Sequence, residues 1–288
     1  MAVQMFLRAW PFPRGAGRII DRFFSKLAFD REVVTVRTTD AFEMQIMPND
    51  LIGRHIYLTG EFDRSTVEIL CDFAENGDTL LDIGANIGYI SACFLKNVRD
   101  SKVIAVEPQP KVLDLLRRNL QQFGADQYRI VPVALSDRDG EGWFEIYDLN
   151  RGASRLVAEK SARTTRVVTW SADRLFSDLG IHKLDIVKLD VEGHEETIFR
   201  ACMPALKRLQ PRVILFEEQL RKSAPDGPIG TLLQKLGYQV FGIRKLLNSI
   251  RMVPISGEAD CVYNDYIAIC RERDIPQRAA RAYDITWA

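Results

Sequence analysis

Three short clusters of this 288-residue chain bring together residue types that can do chemistry. The first is Asp82-Ile-Gly-Ala-Asn-Ile-Gly88, followed directly by Tyr89. Its glycines permit a tight turn and let a ligand approach the backbone. The second is Glu107, 19 residues beyond Gly88 and followed by Pro108. A carboxylate at the end of a strand there can accept hydrogen bonds from both hydroxyls of a ribose. The G-x-N-x-G spacing lacks the G-x-G-x-x-G that cradles a pyrophosphate, and no Gly-Lys-Ser/Thr phosphate loop occurs. The two clusters together suit an adenosine cofactor without a diphosphate. The competing reading is a glycine turn that serves chain reversal alone.

The third cluster is Asp190-Val-Glu-Gly-His-Glu195. Asp190, Glu192 and His194 are its candidate catalytic residues, able to receive a proton from a hydroxyl nucleophile. His194 has the ordinary pKa closest to neutrality, and Asp190 has the position closest to a strand end. The Asp190, Glu192 and His194 spacing could also hold a divalent ion, with Glu217 as a further ligand, but a metal-free reaction is the expectation. The plainer alternative is that Glu192 and His194 cap the next helix, and for Glu195 that is the preferred reading. His55 and His182 read as structural or solvated, and Cys71 and Cys93 as small packing residues.

These clusters need strands that end beside helices that begin. Thr79 to Gly84, Lys102 to Val106, Tyr128 to Leu135, Leu184 to Leu189 and Arg212 to Phe216 are short apolar runs. Helical patterns over Ile87 to Val98 and Pro110 to Phe123 separate the first three. Such alternation predicts an α/β fold with a mostly parallel sheet covered on both faces. Tyr238 to Ile243 and Tyr266 to Cys270 would close the sheet with no helix between them, and the 21 residues between Ile243 and Asp265 form a long connection that we expect to border the acceptor. Glu141 to Val168 reads as an inserted β excursion.

Upstream, Val34 and Val36 alternate with polar residues, as do Phe42, Met44 and Ile46, which predicts a hairpin. Phe62 to Ala74 reads as a helix capped by Asp63 or Ser65. Ile19, Ile20, Phe23, Phe24 and Leu27 would form one helical stripe. We expect this helix to dock on the main domain, with weak contact to a membrane surface as the alternative. The expected division is an N-terminal α/β cap over 1–74, a cofactor-binding domain over 75–271 and a tail over 272–288.

Composition narrows the function classes. Lys and Arg number 39, as do Asp and Glu, so the basic surplus of a nucleic-acid binder is missing. No uncharged apolar run approaches the roughly 20 residues of a membrane span. Five scattered cysteines without a C-x-x-C pair exclude a disulfide scaffold and suit a reducing, cytoplasmic location.

Four motifs in order, Asp82-Ile-Gly-Ala-Asn-Ile-Gly-Tyr89, Val106-Glu-Pro108, Val133-Ala-Leu-Ser-Asp137 and Lys188-Leu-Asp-Val-Glu-Gly-His-Glu195, resemble the FkbM family of S-adenosylmethionine-dependent methyltransferases. The resemblance covers roughly residues 55 to 220. It implies a class I methyltransferase (Rossmann-like) sheet of seven strands, ordered 3-2-1-4-5-7-6 with the last antiparallel. It also implies that Asp82, Gly84, Asn86, Gly88 and Tyr89 surround the methionine part of S-adenosylmethionine, and that Glu107 holds the ribose. Ser136 and Asp137 would lie near the adenine. Relatives often carry G-x-Y-E ahead of the loop where this chain has Gly60-Glu-Phe-Asp63, so Asp63 stands outside the expected site. The implied activity is O-methylation of a small-molecule or glycan acceptor, with no nucleic-acid partner. The alternatives are a nicotinamide-dependent oxidoreductase and a non-catalytic adenosyl-binding module.

Overall fold

The computed structural model describes every residue except Met1, Pro13, 219–221, Thr286 and Ala288, so the outermost residues of the expected cap and tail lie outside the described residues. Its first third carries short helices and one hairpin. Helix α1 is Ala2–Arg8, and α2, Ala16–Ile19, runs into a π-helical turn over Ile20–Phe24. The expected hairpin is present as β1 (Val34–Arg37) paired antiparallel with β2 (Glu43–Ile46). Helix α3 (Leu51–Thr59) is capped by the Asp50 carboxylate, and α4 (Arg64–Phe73) follows. The stripe expected from Ile19 to Leu27 is narrower than its spacing suggests. Ile20 is buried, but Phe23 is 73% exposed and Leu27 40%. The wider π turn shifts the helical phase, so Phe23 swings outward.

The rest alternates strand and helix: β3 (Thr79–Ile83), α5 (Tyr89–Asn97), β4 (Lys102–Val106), α6 (Pro110–Leu120) and β5 (Tyr128–Val131). Every residue of β3 is buried, as expected of a central strand covered on both faces. Four strands then form a separate sheet, namely β6 (Ala134–Ser136), β7 (Gly140–Glu145), β8 (Arg155–Val157) and β9 (Thr164–Ser171), ordered β6-β9-β7-β8. This is the expected excursion. It also takes the end of the run read as one strand from Tyr128 to Leu135. Pro132 has no N–H for a ladder, and the Val133 N–H turns back to the Val131 carbonyl at 2.9 Å, so the strand breaks there.

The chain then returns to the main sheet through α7 (Ala172–Asp178), β10 (Ile186–Leu189), α8 (Glu195–Leu209), β11 (Val213–Glu217), α9 (Pro228–Lys235), β12 (Tyr238–Lys245), β13 (Ile250–Pro254) and β14 (Asp265–Cys270). Helix α10 (Gln277–Tyr283) ends the succession and stacks Tyr283 on Phe73. The main sheet runs β13-β12-β14-β11-β10-β3-β4-β5. Numbering β3, β4, β5, β10, β11, β12 and β14 from one to seven gives 3-2-1-4-5-7-6, and β14 is antiparallel to both neighbours. This is the class I methyltransferase arrangement, α/β and Rossmann-like. The eighth strand, β13, was not expected. It pairs antiparallel with β12 and makes a hairpin of what reads in sequence as one long connection.

Alternate residues of the strands feed two cores. Leu80, Val103, Ile186 and Leu215 belong to one, and Leu81, Val106, Val187 and Ile214 to the other. Val36, Met44, Ile46 and Ile56 of the first third join the former, so the hairpin and α3 are part of one packed face.

Candidate functional site

The β3–α5 turn lies over the carboxyl ends of β3, β4 and β10. Gly84 and Asn86 both adopt left-handed backbone, at φ 80° and 50°. At Gly84 the reason is steric, since a Cβ there would come within 1.9 Å of the Asp190 carbonyl oxygen. The glycine therefore lets two strand ends cross closely, in addition to any ligand it admits. A Cβ at Gly88 would meet Leu116 at 2.6 Å, so that glycine serves the packing of α5 on α6.

Around this turn opens a cleft. Gly84, Asn86, Tyr89, Glu107, Asp190 and His194 all line it, so six of the expected residues share one cavity. Five do not border it. Asp82 lies beneath the turn, fully buried, with its carboxylate accepting from Ser91 Oγ at 2.7 Å and facing Lys188 Nζ at 3.2 Å. Gly88 sits behind the turn. Ser136 stands behind His194, its Oγ 3.0 Å from Nε2, with Asp137 beside it. Glu192 borders a different cavity together with Glu217 and Glu195.

Glu107 accepts the Asn86 N–H and the Gln109 N–H, each at 2.9 Å on a different oxygen. Burial pushes its pKa up to about 7, against the pull of those two N–H groups. Each oxygen retains a second lone pair for a donor from the cleft. Ile83, Val133 and Leu135 supply apolar wall nearby. The apolar wall and the Glu107 carboxylate at the strand end suit a nucleoside.

Burial lowers the pKa of His194, partly opposed by Asp137, so the neutral ring that can accept a proton is favoured. Glu192 has φ 55°, and its pKa is raised by burial and by the Asp190 and Glu195 carboxylates. One oxygen each of Asp190, Glu192 and Glu217 lies within 4.8 Å of the others, a set of the kind hard divalent cations take. Glu195 opens α8 and accepts the N–H groups of Val191 and Gly193 in the loop before the helix, while His194 at the cap position makes no side-chain cap bond. His55 pairs with Asp21 at 2.8 Å, a link between segments of the first third.

Sequence reasoning missed three features. Lys188 lines the cleft, where Nζ lies 2.8 Å from the Gly84 carbonyl oxygen, 3.2 Å from Asp82 and 3.6 Å from Asp190. Burial favours the neutral amine, but the Asp82 and Asp190 carboxylates outweigh it and keep the lysine charged. A charge inside the apolar run Leu184 to Leu189 was the available signal. Arg151 reaches from the inserted sheet to Gln109 at 2.9 Å and Asp148 at 2.6 Å, and Phe144 and Leu156 stand beside it in the cleft wall. No motif marks these. Asp63, set aside above, also lines the cleft, bound to Lys245 at 3.0 Å, and Lys245 reaches Asp265 at the same distance. Burial alone would raise the Asp63 pKa, but Lys245 holds it low.

Comparison with known proteins bears on what this cleft is. The hexuronic acid methyltransferase AglP of Haloferax volcanii is 30% identical over 152 residues, 52% of this chain and 59% of that protein. The 2-O-methyltransferase NoeI of Sinorhizobium fredii is 26% identical over 140 residues, 41% of this chain and 55% of that protein. The chain thus spans little more than half the length of these two curated relatives. Among solved structures, precorrin-6y C5,15-methyltransferase from Geobacter metallireducens has a TM-score of 0.39 at 16% identity, over 72% of this chain and 88% of that one. The model of the methyltransferase FkbM domain matches residues 82–240, from the glycine turn through β12. That stretch is more than half of the sequence and contains the cleft's turn, Glu107, Lys188, Asp190 and His194, so the chain belongs to the FkbM-domain methyltransferase family.

Proposed function

We propose that the chain is an S-adenosylmethionine-dependent O-methyltransferase acting on a hydroxyl of a sugar or other small hydroxylated metabolite. The observation that carries this reading is the shared cleft, in which the glycine turn and Glu107 face Asp190 and His194. Glu107 would receive the ribose hydroxyls, and the turn at Gly84 to Ile87 would border the methionine part. When bound, the cofactor supplies an electrophilic methyl group. The residues of the chain hold the acceptor oxygen in line with it, and such positioning supplies most of the acceleration. As the oxygen loses its proton, neutral His194 or the Asp190 carboxylate receives it. Ser136, hydrogen-bonded to His194, fixes the orientation of the ring. The names of AglP and NoeI, one acting on a hexuronic acid and the other a 2-O-methyltransferase, support a sugar hydroxyl as acceptor. Zero net charge supports an acceptor other than nucleic acid, and the free cysteines support a cytoplasmic setting.

The test is calorimetry with S-adenosylhomocysteine and with NAD, followed by transfer of labelled methyl to a panel of sugars and uronic acids. Binding of the first ligand alone and label on a sugar oxygen are expected. Binding of NAD alone would replace this reading with an oxidoreductase. Cofactor binding without transfer to any hydroxyl would favour a binding module.

A further inference from the structure

Large apolar side chains open to solvent cluster at one end of this chain. Among the described residues, Met5, Phe6, Phe12, Phe23, Leu27 and Val33 are all more than a third exposed. They are not the residues that seat the helices, because Leu7, Ala16 and Ile20 face inward against Leu58. The outward side chains form a continuous surface in part. Phe6 meets Trp10 edge-on at 6.0 Å, and Trp10 meets Phe12 at 5.7 Å. Leu247, 45% exposed at the β12–β13 turn, adjoins them, since a Cβ on Gly15 would lie 3.0 Å from Leu247 and 3.8 Å from Trp10.

The same segment is basic while the whole chain is neutral. Arg18, Arg22, Lys26 and Arg31 are exposed and enter no ion pair among the described residues. Arg14, in contrast, is paired with Glu68. Apolar side chains and unpaired cations on one short exposed segment are the combination that seats a helix in a headgroup layer. A protein partner of ordinary composition would not need both, and solvated monomers seldom leave such patches open. No helix among the described residues is long and apolar enough to cross a membrane, so the contact is with a surface.

We propose that the face formed by α1, the π-helical turn and Leu247 docks on an anionic lipid surface. Met5, Phe6, Phe12 and Phe23 enter the boundary between headgroups and acyl chains, and the four cations meet lipid phosphates. This docking is independent of the methyl-transfer reading. A second cavity, lined by Arg14, Gly15, Arg18 and Leu247, shares Phe62 and Asp63 with the cleft, so the docked face adjoins the site.

The experiment is co-sedimentation of the full chain with vesicles of phosphatidylcholine alone or mixed with phosphatidylglycerol. Binding to the mixed vesicles, weakened by added salt, is expected. The pair Arg18→Glu with Arg22→Glu and the pair Phe6→Ser with Phe12→Ser should each reduce it by about tenfold or more, with far-UV circular dichroism unchanged. The charge pair lies on exposed positions and keeps the test decisive if the aromatic pair fails to fold. No sedimentation with mixed vesicles, or wild-type binding by the folded charge pair, overturns the proposal. Sedimentation velocity showing a dimer that both pairs dissolve would assign the face to a second copy of the chain and overturn it as well.

Discussion

Lys188 Nζ donates to the carbonyl oxygen of Gly84 at 2.8 Å, so a side chain from one central strand holds the turn that follows its neighbour. The same ammonium faces Asp82, which is fully buried. Removing one partner of such a pair leaves an uncompensated buried charge and costs about 3–5 kcal/mol. Lys188→Met should therefore destabilise the protein by about that amount in urea denaturation. Adding Asp82→Asn should restore most of the loss, because neither charge then remains. A double variant no more stable than the single one would show that the pairing with Asp82 is not what matters.

If Glu107 holds the ribose as proposed, cofactor binding should depend on pH. Its pKa lies at about 7 in the free protein, above the ordinary 4.5. A carboxyl raised in this way favours the folded state below its unfolded pKa, and that contribution is lost as pH rises through the folded value. Ribose hydroxyls donate to the ionised form, so affinity for S-adenosylhomocysteine should rise between pH 6 and 8, as checked by calorimetry. Glu107→Ala should weaken binding at pH 8 by about tenfold or more and flatten the profile. An equal slope in the variant would assign the pH effect to another group.

Catalysis should separate from binding at Asp190 and His194. Loss of a positioned base costs about 10²–10⁴-fold in rate. Asp190→Asn and His194→Ala should each lower turnover on a sugar acceptor while changing cofactor affinity far less. Because burial depresses the His194 pKa below its ordinary 6.5, the acid limb it causes should fall below that value and vanish in the alanine variant. Full turnover in both variants would leave positioning as the whole mechanism.

Chelation should leave the rate unchanged. Of the three clustered acids, only Asp190 lines the cleft, whereas Glu192 and Glu217 border a separate cavity. An ion held by all three would sit beside the cleft rather than on the reacting oxygen. Activity lost to EDTA and restored by magnesium or manganese would reverse this and make the three acids ligands.

The parallel core was legible because its strands are short, mostly apolar runs with helices between them, and β3, β4, β10 and β11 stand where those runs predict. The break at Pro132 shows in the sequence only as a residue type, and β13 is not legible there because Ile250 to Pro254 gains its meaning only by pairing with β12. The meeting of Glu107 and the glycine turn in one cleft could be read because their positions follow from where two strands end. Lys188 could not be, since its partners Asp82 and Gly84 come from a neighbouring strand more than 100 residues away. His194 and Ser136 met for a similar reason, across two sheets that the sequence does not place side by side.

The inserted sheet has a consequence for how such a cleft can change. Phe144, Arg151 and Leu156 form one wall, and they belong to a hydrogen-bond ladder separate from the strands that carry the glycine turn and Lys188. Changes at Phe144 and Leu156 should therefore reshape that wall while the main sheet keeps its register, whereas Arg151 is tied to Gln109 and Asp50 and should tolerate less change. Divergence among relatives of this chain should concentrate in that wall when the acceptor changes, and leave the glycine turn and Lys188 nearly still.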